Sequence, residues 1–79
     1  MDMEKKDLEK DRKLFMFFKR AVEAEREAQK MYKDAIRFCR DPELADVLQA
    51  FYEDEVRHEK EVVTRYNALK RRLPKEETE

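Results

Sequence analysis

Three side chains with metal-ligating chemistry stand where apolar residues are expected. Glu25 interrupts an apolar stripe in the first half of the chain, and Glu55 and His58 interrupt the matching stripe in the second. A carboxylate or imidazole held between helices is costly unless it is paired or bound to a metal. Glu25 lies one heptad from Phe18 and one from Tyr32. That separation drifts only about 20° around a helix, so Glu25 belongs to the same seam. Glu55 and His58 are three residues apart and share a face; Glu55 follows Phe51 by four, and His58 precedes Val62 by four. Oxygen-rich ligation with some imidazole suits iron or manganese better than a thiolate-preferring metal.

Two helices must position these groups. Asp41-Pro42-Glu43 is a helix start: Asp41 can cap orphan amides, Pro42 suits the first helical position, and Glu43 favours the positive end of the dipole. Pro74 ends that helix after Lys70, Arg71 and Arg72. The expected organisation is a charged tail over residues 1–6, a first helix over about 7–39, a turn at 40–42, a second helix over about 42–73, and a charged tail over 74–79. The short connection predicts an antiparallel hairpin. Glu25 lies sixteen residues before Asp41, and Glu55 and His58 lie fourteen and seventeen after it. At about 1.5 Å rise per residue, these are roughly 24 Å and 21–26 Å from the turn, so all three fall at one level.

The first helix carries its main seam at Phe15, Phe18, Val22, Glu25, Gln29, Tyr32, Ile36 and Cys39. Beside it run Leu14, Ala21, Ala28 and Ala35, and then Phe17, Ala24, Met31 and Phe38. One partner helix cannot cover three apolar rows. The second helix repeats the pattern with Leu44, Leu48, Phe51, Val62 and Leu69, and with Val47, Tyr52, Val56, Val63 and Tyr66 nearby. A lone hairpin would leave much of this wet, and a unit of this size rarely holds itself together. The expectation is an all-α hairpin that dimerises into a four-helix bundle. Two copies then offer four carboxylates and two imidazoles, the ligand set of a di-iron or di-manganese carboxylate bundle.

Composition excludes other classes. The chain has 79 residues, no Gly, two Pro, 49% charged residues and a net charge near −1. It is one small domain of charged helices, without a Gly-rich phosphate loop. No overall basic field favours nucleic acid, and no apolar run approaches the roughly 20 residues of a membrane span. The single Cys39 argues against a disulfide framework and fits a reducing compartment, with the cytoplasm as the expected setting.

Other residues carry weaker signals. Thirteen of 79 residues are Glu, so Glu-x-x-His by itself says little; seam position, matched height and symmetry completion together say more. Tyr32 can contact a metal ligand or donate an electron, or simply pack with a polar tip. Gln29, one turn from Glu25, can orient a carboxylate. Cys39 reads as packing. Glu27 and Glu59 flank the seam and can guide cations inward, although most such charges are a solvated face.

At these residues the chain resembles the encapsulated ferritins, the two-helix members of the ferritin-like superfamily. The resemblance runs from Ala21 to about Arg72 and rests on E-R-E-A-Q-K-M-Y (Glu25 to Tyr32), D-P-E-L (Asp41 to Leu44) and D-E-V-R-H-E-K-E (Asp54 to Glu61). It implies a ferroxidase that oxidises Fe(II) with O2 at a subunit interface. The implied ligands are Glu25, Glu55 and His58, with Tyr32 near the metals. Iron, two per dimer, is the implied metal, with manganese, zinc or calcium as substitutes. The resemblance also implies a homodimer assembling into a ring, commonly a decamer, that passes oxidised iron into an encapsulin shell. The sequence departs from that pattern at Met31, where the family often has Trp, and at Ala24, where an acidic residue often stands. Its last residues read K-E-E-T-E, unlike the Gly, Leu and Ile docking peptide of encapsulated members.

The expected function is therefore ferroxidase activity serving iron storage or detoxification, with Glu55 bridging the metals and Glu25 and His58 as terminal ligands. Two alternatives stand beside it. One is a peroxide-consuming di-iron protein of rubrerythrin type, which would react faster with H2O2 than with O2. The other is a metal-free oligomerising hairpin, which would tolerate apolar residues at all three positions.

Overall fold

A computed structural model of the chain describes residues 5–78. It is a helical hairpin. Helix α1 spans Lys5–Phe38 and α2 spans Pro42–Arg72, followed by a short 3₁₀ turn, Lys75–Glu77. The expected N-terminal tail lies outside the described residues in its first four positions; Lys5 and Lys6 already belong to α1. Nothing in α1 breaks a helix, since the chain contains no Gly and neither Pro falls within it.

The turn is built as its residues require. Asp41 is extended, with φ −93° and ψ 116°. Its Oδ1 accepts from the amide of Glu43 at 2.9 Å and from that of Leu44 at 3.4 Å. Two of the orphan amides of α2 are thereby satisfied, and Pro42 contributes none. The Cys39 thiol donates to the Asp41 carbonyl at 3.2 Å, so this cysteine serves the turn as well as packing.

At the opposite end sits the best-buried core. Phe15, Leu69 and Leu73 are buried, with Leu8, Phe18 and Tyr66 against them. Phe15 is 2% exposed and its ring stacks on Tyr66 at 4.9 Å between centroids. Residue Leu73 leaves the helix with ψ 150°, the extended geometry that a following Pro imposes, and stays buried. The charged stretch after it contains a short turn. Pro74 redirects the chain, and residues 75–77 coil back so that Glu77 meets Arg12 at 3.0 Å. Beside that pair, Arg72 reaches the nearly buried Asp11 at 3.0 Å.

The molecule measures 58 × 18 × 16 Å, the cross-section of one helix pair. Each helix can bury only the seam facing its neighbour. The second apolar row of α1 stays open, with Phe17 62% and Phe38 82% exposed, and Leu14 and Met31 about as open as each other. On α2, Leu44, Val47 and Phe51 are exposed as well. No helix among the described residues is long and apolar enough to cross a membrane.

The core at the open end should carry much of the stability. Phe15→Ala is expected to lower the unfolding free energy by about 3–5 kcal/mol, the usual cost of emptying a buried aromatic site. Urea titration at fixed chain concentration checks this; a loss below about 1 kcal/mol would mean that the helices are held together elsewhere.

Candidate metal centre

Glu25 stands on the inner seam of α1, and Glu55 and His58 stand on α2. The structure gathers one ligating atom from each of the three within 4.8 Å of one another. His58 Nδ1 lies 3.8 Å from Glu25 Oε2 and 3.7 Å from Glu55 Oε2, too long for hydrogen bonds. Both carboxylates are half-buried between the helices, while the imidazole is 54% exposed on the outer side. Buried Glu25 Oε2 receives no hydrogen bond from any described residue. An acceptor oxygen buried without a donor is costly, and a cation in that position would satisfy it.

Electrostatics agree with the geometry. The Glu25 carboxyl is held above its ordinary range, first by a hydrogen bond shared with the Glu55 carboxyl, then by burial and by the negative charge of Glu55. His58 opposes this shift, and the charge of Glu59 adds to it. The negative charge of Glu55 so close makes ionisation of Glu25 costlier, and a cation between them would offset that cost. Half-buried oxygen donors with one imidazole, and no thiolate among them, fit iron or manganese.

The surrounding side chains follow from how helical side chains lean. Each Cα–Cβ bond tilts toward its own helix N-terminus. In an antiparallel hairpin, α1 side chains therefore lean away from the turn and α2 side chains toward it. Gln29 and Glu59 differ in height by residue count, yet this lean lets Gln29 Nε2 donate to Glu59 Oε1 at 2.7 Å. Arg26 Nε donates to the other Glu59 oxygen at 3.4 Å. Gln29 thus orients Glu59 and not Glu25, and Glu59 is a fixed acceptor behind the cluster. Rise per residue locates a side chain's height but not its reach, so the sequence did not reveal this pairing. Glu27 is exposed on α1. The Tyr32 ring packs against Phe51 at 5.7 Å, and among the described residues its hydroxyl makes no hydrogen bond to the three clustered groups.

Comparison with known proteins gives one result. The family model for Ferritin, the ferritin-like domain, matches residues 2–72. No curated protein and no solved structure matches the chain.

The raised Glu25 pKa sets a pH dependence. The folded state holds this proton more tightly than the unfolded chain, so the stabilisation is complete below the unfolded pKa and is lost as pH rises through the folded one. Thermal melts of the metal-free protein should show wild type losing stability relative to Glu25→Gln across that window. A difference that stays flat or changes sign would contradict the carboxyl pairing.

Proposed function

The chain belongs to the ferritin-like domain family, and from that premise we propose that it is a half-ferritin ferroxidase whose metal centre is completed by a second copy. One observation carries the reading: Glu25, Glu55 and His58 converge within 4.8 Å, with a buried carboxylate oxygen that no donor satisfies. Such a ligand set in this family belongs to a four-helix bundle, and one hairpin is half of that bundle.

The exposed seam supports the second copy. On α1, residues 14, 17, 21, 24, 28, 31, 35 and 38 follow a strict 3–4 spacing one position behind the inner seam. Leu14, Phe17, Met31 and Phe38 of that row are open. On α2, Leu44, Val47 and Phe51 lie open on a face that leads, one heptad beyond Phe51, to the exposed His58. A two-fold related hairpin on this side would cover apolar surface that a soluble monomer seldom leaves exposed. It would also place a second Glu25, Glu55 and His58 beside the first.

In this reading iron supplies one-electron redox chemistry when bound, and Fe(II) is also the substrate. Four Fe(II), oxidised over two turnovers of a two-iron site, give the four electrons that with four protons reduce one O2 to two waters. The chain's own residues do the holding. Glu25 and Glu55 offer carboxylate oxygens to cations, and metal binding would displace any proton that Glu25 still holds. His58 presents its imidazole from the outer side of the cluster, where it is exposed to an incoming cation. The Gln29 and Arg26 bonds fix Glu59, which adds negative charge behind the site without entering it.

Two variants test the proposal. His58→Ala is expected to reduce aerobic Fe(II) oxidation to the buffer rate while the far-ultraviolet circular dichroism stays helical. Met31→Glu places a charge in the middle of the open seam and is expected to yield a monomer by sedimentation that has also lost oxidation. Unchanged oxidation in His58→Ala would remove this site from the chemistry. Full oxidation by a Met31→Glu monomer would show that a single hairpin suffices.

A further inference from the structure

The α1 helix carries a third seam. Lys19, Glu23, Arg26, Lys30, Lys33 and Arg37 follow one another at spacings of four and three, one position ahead of the inner seam and therefore on the side away from the apolar row. Five of the six are cations in a chain whose net charge is −1. Helix neighbours at these spacings repel when they carry like charge. Yet among the described residues no ion pair reaches Lys19, Lys30, Lys33 or Arg37. Arg26 has one partner, Glu59, at the long distance of 3.4 Å.

The cations border real concavities. A groove of about 300 Å³ is lined by Arg26, Gln29, Lys30, Lys33 and Tyr52. A second, of about 350 Å³, continues along the same side, and Arg26 and Lys19 border it. Lys33 is held at the first groove by the Tyr52 ring, with Nζ 5.3 Å from its centre. No carboxylate lines this groove; Glu59, which bonds two of its lining residues, is occupied by Gln29 and Arg26.

We propose that the groove between Arg26, Lys30, Lys33 and Tyr52 binds inorganic phosphate. Its donors match a small tetrahedral oxyanion. Arg26 offers the N–H groups of its guanidinium that Glu59 leaves free, Lys30 and Lys33 offer two ammonium charges, and the Tyr52 hydroxyl can donate at the rim. The anion relieves the repulsion among the three cations. It takes a place on the side opposite the apolar seam, so a second copy of the chain does not block it. A charged face that is merely solvated would bind anions only by general screening, and would not distinguish phosphate from chloride.

The test is made on the metal-free full-length chain, so that it succeeds or fails independently of the iron reading. Amide chemical shifts are followed while inorganic phosphate is added at constant ionic strength, balanced with chloride. The expected result is a saturable shift confined to residues around 26, 29, 30, 33 and 52. The double variant Lys30→Gln, Lys33→Gln should bind at least about tenfold more weakly, as the loss of two charge-assisted contacts implies. Lys13→Gln, elsewhere on α1, should bind as wild type does. Shifts that chloride reproduces, or that the double variant retains, would overturn the proposal. So would a short duplex DNA that binds at these lysines while phosphate does not.

Discussion

Glu25 and Glu55 face each other between two helices, and the rest of the hairpin is arranged around that unfavourable meeting. Like charges at close range in a half-buried setting repel, and no Arg or Lys among the described residues forms an ion pair with either. Around that meeting the helices are joined by the Gln29–Glu59 bond and the Tyr32–Phe51 contact. The two ends add their own ties. The Asp41 cap and the Pro42 start fix one end. Phe15, Tyr66, Leu69 and Leu73, with the Asp11–Arg72 pair beside them, fix the other. The raised pKa of Glu25 means that charge is disfavoured at this point of the metal-free hairpin, and a bound cation would offset that cost.

One helix does three jobs because the 3–4 spacing recurs at three adjacent phases. The inner phase of α1 meets α2 and carries Glu25. The phase behind it is apolar and open, and the phase ahead of it is cationic and open. Only about a third of a helix's circumference can face a single neighbour, so a two-helix unit leaves both outer phases open. Their chemistry separates them. An apolar row of Leu, Phe, Met and small Ala residues favours another helix surface, while a row of Lys and Arg favours anions.

Much of this was legible in the sequence. Asp41-Pro42-Glu43 located the turn because each residue has a specific reason to stand at a helix start. The even residue counts from the turn to Glu25 and to Glu55 brought the three clustered groups to one level. Less legible were features that depend on reach and on return of the chain. Gln29 read as a residue able to orient a carboxylate, but which carboxylate depends on reach: the opposite lean of side chains on antiparallel helices delivers it to Glu59. The residues after Pro74 read as a charged tail, because nothing local signals that Glu77 will find Arg12 sixty-five residues earlier. The cationic phase of α1 was hidden among mixed charges until the neighbouring grooves separated its residues from the rest.

The account's central claim is that the three-residue cluster is half of a shared metal site. Native mass spectrometry after anaerobic Fe(II) loading counts chains and metals in one measurement. The account expects an even number of chains carrying one iron per chain, with iron lost when the assembly is split into single chains. An assembly that forms and takes up no iron, or single chains that hold iron as firmly as the assembly does, would contradict it.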